Sequence, residues 1–252
     1  MRYFFKIQYN GTNYHGWQYQ PNAISIQETI QNQLYKLFKN RQSIIGCGRT
    51  DTGVHASQYY FHFDIEETID LKTIQHKLNG MLPKDIYIQK IIPVEDKAHA
   101  RFAATKRAYT YIISTIKNPF LIKRAWIYPY YPLNTTLMQQ AAKDFMQYND
   151  FPMLCKTGSD VNNYICTIFK SELTIDETKH QIIYNIEANR FLRNMIRRLT
   201  GLLVQIGRGQ LDLKTFNETL RSKNQFKYIT LAPPEGLYLS KVEYEFLNST
   251  NT

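Results

Sequence analysis

The spacing of apolar residues over the first 92 positions constrains the fold more than any other feature of the chain. Tyr3, Phe5, Ile7 and Tyr9 alternate along residues 2–9, the period of a half-buried strand. Ser25 and Glu28 then make a Ser-x-x-Glu capping box, and Ile26, Ile30, Leu34 and Leu37 recur at helical spacing to about Asn40. Strands are expected at 43–47 and 54–63. Asp70 caps a second helix with Leu71, Ile74, Leu78 and Met81 on one face, Pro83 follows its end, and 85–92 read as a strand. The order is β-α-β-β-α-β, the ferredoxin-like arrangement, and related sheets recur in RNA-binding modules.

The rest of the chain repeats that rhythm without repeating its sequence. An aromatic strand at 109–113 leads to a loop-like run at 119–132, a helix from Leu137 to near Asn149, and a polar, irregular stretch at 151–163 that reads as a surface loop. Strands follow at 164–175 and 181–189, joined by an Asp176-Glu177 turn. A long helix over 191–206 carries Phe191, Met195, Leu199, Leu202 and Ile206 on its core stripe, with Gly207 as its stop. Arg190, Arg193 and Arg197 fall together on another face of that helix. A weaker helix at 212–220 and a final strand to Phe246 complete an α+β chain. It divides into halves at 1–115 and 116–252.

Net charge decides which partners to consider. Lys and Arg outnumber Asp and Glu by 31 to 21, a balance of +10, which favours a polyanion and nucleic acid first. With 43% hydrophobic and 14% aromatic residues over 252 positions the chain can bury a sizeable core. The three cysteines, Cys47, Cys155 and Cys166, are odd in number and lack Cys-x-x-Cys spacing, which argues against a disulfide framework and a zinc site. The N-terminus has no signal-like apolar core, and no apolar run approaches membrane-spanning length, so a soluble, cytoplasmic protein is expected.

The chemistry concentrates in Gly46-Cys47-Gly48-Arg49-Thr50-Asp51-Thr52-Gly53-Val54-His55-Ala56. A surface Arg-x-Asp pair contributes only about 0 to 1 kcal/mol and would need no flanking glycines. Glycines that hold Asp51 at a strand end, beside Arg49, instead read as a carboxylate presented to a ligand. Carboxylates act as nucleophiles or bases in glycosyl chemistry. His55, four residues on, reads as structural.

Residues Gly48 to Ala56 closely resemble the Gly-Arg-Thr-Asp-x-Gly-Val-His-Ala motif of the tRNA pseudouridine synthase A family. Four further stretches are similar to that family's motifs, in the family order: Tyr9 to Gln18, with Asn10 in place of the usual aspartate; Ala100 to Tyr111; Asn189 to Arg197; and Ala232 to Leu239. The resemblance covers nearly the whole chain. It implies the pseudouridine synthase fold, in which two ferredoxin-like halves pack around a mainly antiparallel sheet with a central cleft.

It also implies an activity: isomerisation of uridine to pseudouridine at positions 38 to 40 of the tRNA anticodon stem-loop, by a homodimer that binds tRNA across both subunits. By the resemblance Asp51 is the catalytic aspartate, Arg49 displaces the target base, and Tyr109 and Arg197 are active-site residues. Arg101, Phe102, Arg190, Arg193, Leu237 and Leu239 are expected to contact substrate. The isomerisation involves no net redox change, so no cofactor and no metal are expected. Two other readings of the same residues stay open. One is an RNA-binding module without chemistry, in which Asp51 braces a loop; the other is an N-glycosidase or nuclease using Asp51 and His55.

Overall fold

The protein is described here by a computed structural model covering residues 1–40, 42–66, 70–159 and 161–248. Its elements run β1 (Arg2–Tyr9), α1 (Ile26–Phe38), β2 (Ile45–Gly46), β3 (His55–Asp64), α2 (Leu71–Met81), β4 (Ile86–Val94), β5 (Lys106–Ser114), β6 (Trp126–Ile127), α3 (Thr135–Phe145), β7 (Ile168–Asp176), β8 (Gln181–Ala188), α4 (Met195–Gly207), α5 (Leu213–Ser222), β9 (Leu237–Glu243) and α6 (Glu245–Asn248). Two compact units result: residues 1–107 with 238–252, and residues 108–237.

In the first unit the strands lie in the order β4-β1-β3, with β2 on β3. The β1–β3, β1–β4 and β2–β3 pairs are antiparallel. One face of β1 and β3 stacks Phe5 on Phe61 and Phe63, with ring centroids 4.9 and 5.0 Å apart. Helix α1 contributes buried Ile26, Ile30 and Leu34. The other face is apolar as well: Phe4 meets Tyr244 and Phe246 edge-on. The C-terminal segment thus covers a face that local alternation would leave to solvent. Ser25 accepts from Glu28 N–H and Asp70 from Lys72 N–H, as the caps predict, each worth about 1 kcal/mol. At its start β3 runs parallel to β9, pairing His55 with Tyr238 and Ala56 with Leu239.

In the second unit β8 lies between β5 and β7, and β6 pairs in parallel with β5. Helix α4 is buried nearly all round, with Leu199, Leu202 and Ile206 at 0% exposure. Two of its glycines exist for close approach. A Cβ on Gly201 would strike the Thr230 carbonyl, and one on Gly207 would strike Met138 of α3.

Several sequence expectations change here. The helix expected from Phe191 starts at Met195, because Asn194 takes a left-handed conformation at φ 64°. Arg190 and Arg193 therefore precede the helix and do not share a helical face with Arg197. The stretch 151–163 is not wholly a surface loop: Phe151, Met153 and Leu154 are at 0% exposure, around a 3-10 turn at Pro152–Leu154. The final strand stops at Glu243, and Glu245–Asn248 is helical. The strand expected from 164 begins at Ile168, the helix expected to end near Asn149 ends at Phe145, and the strand expected over 43–47 shortens to Ile45–Gly46.

Candidate active site

The Asp51 loop is clamped from both ends. Before it, Cys47 N–H donates to Tyr60 C=O at 2.8 Å, and the Tyr59 hydroxyl donates to Gly48 C=O at 2.5 Å. After it, Val54 N–H closes a turn on Asp51 C=O at 3.1 Å. Gly53 occupies that turn's third position at φ 77°, a conformation type II turns reserve for glycine. Between these, Thr50 turns inward and its hydroxyl meets the Tyr9 hydroxyl at 2.9 Å in a buried contact. Asp51 is half-buried, and Arg49 is exposed.

The Tyr9–Trp17 segment packs against the backbone of this loop. Trp17 N–H donates to Thr50 C=O at 3.3 Å, and Gly53 N–H to Tyr14 C=O at 3.2 Å. A Cβ on Gly11 would strike the Val54 carbonyl, and one on Gly16 the Thr50 carbonyl. Tyr9, Tyr14 and Trp17 are all buried. Asn10, where the family usually has aspartate, accepts from Thr12 N–H at 3.0 Å, a cap that either side chain can make. Buried His55 accepts at Nδ1 from Gly11 N–H at 3.0 Å, which leaves the ring proton of its neutral form on Nε2. Burial pushes the Cys47 thiol up to about 11, so it packs as a small apolar residue and not as a nucleophile.

Arg101 and Phe102 sit on a tight turn in the same unit. His99 Nδ1 accepts from both their N–H groups, at 3.1 and 3.2 Å, and Ala103 N–H closes the turn on His99 C=O at 3.0 Å. Phe102 is 76% exposed, with the Arg101 guanidinium 5.4 Å from its ring centroid. Arg107, absent from the sequence-level candidates, joins this turn to the Asp51 loop. Its Nη2 donates to Arg101 C=O at 2.7 Å and to Cys47 C=O at 2.9 Å, and its Nη1 to Ala104 C=O at 3.4 Å.

The second unit holds the other expected residues. Tyr109 is half-buried and meets Phe191 at right angles, with centroids 5.3 Å apart. Arg197 Nε donates to Ala232 C=O at 2.7 Å, and Ala232 N–H donates back to Arg197 C=O at 3.2 Å. The Ala232–Gly236 segment rests on Tyr111, whose hydroxyl donates to Pro233 C=O at 2.7 Å; a Cβ on Gly236 would strike the Tyr111 ring. Burial and then Glu235 push the Tyr111 hydroxyl well above its usual range, with Arg197 opposing. Arg190 donates to the Asn163 side chain at 3.2 Å, and exposed Arg193 accepts at its carbonyl from Lys156 N–H at 3.0 Å. Leu237 and Leu239 are 5% and 2% exposed and offer little surface to a bound base.

Among the described residues, no three or more His, Cys, Asp or Glu side chains gather as a metal site, and no helix is long and apolar enough to cross a membrane.

Comparison with known proteins covers both units. The profile of a family described as tRNA pseudouridine synthase matches residues 6–103 and 141–245. A Bacteroides fragilis protein named tRNA pseudouridine synthase A is 43% identical over 245 residues, covering 96% of each chain. Proteins of the same name are 42% identical in Azobacteroides pseudotrichonymphae, over 96% of each chain, and 38% identical in a Thermoanaerobacter species, over 94% of this chain and 97% of that one. With matches of this extent on either side of the clamped Asp51 loop, the chain belongs to the tRNA pseudouridine synthase family, isomerases that convert uridine to pseudouridine.

Proposed function

We propose that this chain isomerises uridines at positions 38 to 40 of the tRNA anticodon stem-loop, with Asp51 as the acting carboxylate. The bond from ribose C1′ to uracil N1 breaks, the base turns, and C5 bonds to C1′. C5 then gives up its proton and N1 gains one, so atoms and electrons balance without an external reagent. Positive charge gathers at C1′ as that bond breaks, as in glycoside hydrolysis. An ionised carboxylate beside the sugar stabilises that charge, adds to C1′, or removes a sugar proton.

The observation that carries this reading is the clamping of Asp51. Both flanks of the loop are fixed by backbone hydrogen bonds, and a glycine at φ 77° turns the chain straight after the carboxylate. A loop that only braced the fold would have no need of glycines on both sides of a half-buried Asp51. In the same reading Arg49 helps displace the target base from its stack, at a cost of a few kcal/mol. Tyr109 stacks on the flipped uracil, and Arg197 supplies positive charge. Arg101, Arg190 and Arg193 contact phosphates. The active species is a homodimer, which sedimentation with and without tRNA tests.

Asp51→Asn decides between enzyme and binding module. Asparagine keeps the volume and loses the charge. Each 1.36 kcal/mol of lost transition-state stabilisation is tenfold in rate. The expected outcome is a single-turnover rate lower by orders of magnitude, with melting temperature and tRNA affinity close to wild type. Near-normal turnover by this variant removes Asp51 from the mechanism. Parallel loss of stability, binding and rate supports the bracing role instead.

A further inference from the structure

We propose that Arg107 is a positioning residue for the isomerisation: its guanidinium sets the spacing between the Asp51 loop and the turn that presents Arg101 and Phe102. The inference rests on Asp51 being the acting carboxylate. One nitrogen, Nη2, donates to Cys47 C=O at 2.9 Å and to Arg101 C=O at 2.7 Å, so a single atom spans two loops that are 54 residues apart in sequence. Each contact point is stiffened by a second pin one residue away. Gly48 C=O is held by the Tyr59 hydroxyl at 2.5 Å, and Ala100 C=O by the Tyr244 hydroxyl at 2.6 Å.

Hydrogen bonds of the side chain go to backbone. Arg107 is half-buried and donates to three backbone carbonyls. A side chain placed to bind phosphate would present that fork to solvent. Carbonyls are polar but uncharged, so what the site uses is the planar fork and not the charge alone. Lysine concentrates its donors on one flexible point and does not reproduce the fork. Loss of the fork removes the tie between the Asp51 loop and the Arg101 turn, and a misplacement of about 1 Å at a reacting group costs on the order of 100-fold in rate.

The test compares Arg107→Lys with wild type in single-turnover pseudouridine formation on a tRNA, in tRNA affinity across a salt series, and in melting temperature. The positioning role predicts a rate lower by about 10- to 100-fold, with affinity and its salt dependence unchanged. A wild-type rate in the lysine variant overturns the proposal. So does a loss of affinity in proportion to the rate, which marks Arg107 as a phosphate contact. Should the lysine variant melt far below wild type, both proteins are compared well below its melting temperature: a lowered rate at unchanged affinity supports the proposal, and an unchanged rate overturns it. Asp51→Asn run alongside separates the two readings. If that variant remains active the catalytic assignment fails, whereas an inactive Asp51→Asn beside a fully active Arg107→Lys sinks only the positioning role.

Discussion

Tyr109 and Phe191 hold each other at right angles, 5.3 Å between centroids. A ring held this way keeps its orientation before any base arrives, so little order has to be imposed when one does. Removal of the ring should therefore cost more than removal of the hydroxyl. Tyr109→Phe is expected to retain single-turnover activity within a few-fold. Tyr109→Leu, which loses stacking worth about 1 to 3 kcal/mol, should fall by roughly 5- to 150-fold. Equal rates for the leucine variant and wild type would refute the stacking role. Residues of this kind differ in how legible they are. Asp51 and Arg49 stand out in sequence because glycines frame them, and Tyr109 because the stretch Ala100 to Tyr111 resembles a family motif. Arg107 does not, because its partners are the carbonyls of Cys47, Arg101 and Ala104, and a carbonyl looks the same under every residue type.

Among the elements, β3 contains a buried group that responds to acid. His62 is 1% exposed, accepts at Nδ1 from Ala100 N–H at 3.1 Å, and lies among Arg2, His99 and Asp64. Burial, then Arg2 and His99, lower its pKa from 6.5 to about 4, against a smaller opposing effect of Asp64. The folded state therefore favours the neutral ring. In the unfolded chain the ring takes up a proton near pH 6.5, so the stability it contributes is complete above that pH and is lost as pH falls toward 4. His62→Asn can keep an acceptor for Ala100 N–H but does not titrate. Melting curves between pH 7 and 4 should show a shallower loss of stability for the variant than for wild type, and parallel curves would exclude His62 as the cause. Elements were most legible where caps and period agreed, as for α1 and α2. Helix α4 misleads because Phe191 stands at helical spacing from Met195 yet packs against Tyr109 ahead of the left-handed Asn194. Residues 151–163 mislead because polar residues after Cys155 outnumber the buried Phe151, Met153 and Leu154 before it.

For the molecule as a whole, the charge of +10 is the property a polyanion meets first. If Arg49, Arg101, Arg190, Arg193 and Arg197 each neutralise a phosphate, a slope of −0.7 to −0.9 per contact gives about −3.5 to −4.5 in log affinity against log salt. That is a loss of roughly 100- to 500-fold between 50 and 200 mM salt, readable in a tRNA titration; a flat salt dependence would contradict these contacts. The β-α-β-β-α-β order of the first unit was legible because each of its elements follows a local period. The return of the last strand to the first unit was not, since β9 pairs with β3 across most of the chain's length and no window of sequence spans both. That pairing has a consequence in time. Ala56 leaves the ribosome early, but its partner Leu239 is made 183 residues later, which at about 5 to 20 residues per second is roughly 10 to 40 s. Throughout that interval the strand that follows Asp51 has an open edge, so a nascent chain carries the complete Gly48–Ala56 motif well before the support of that motif is finished.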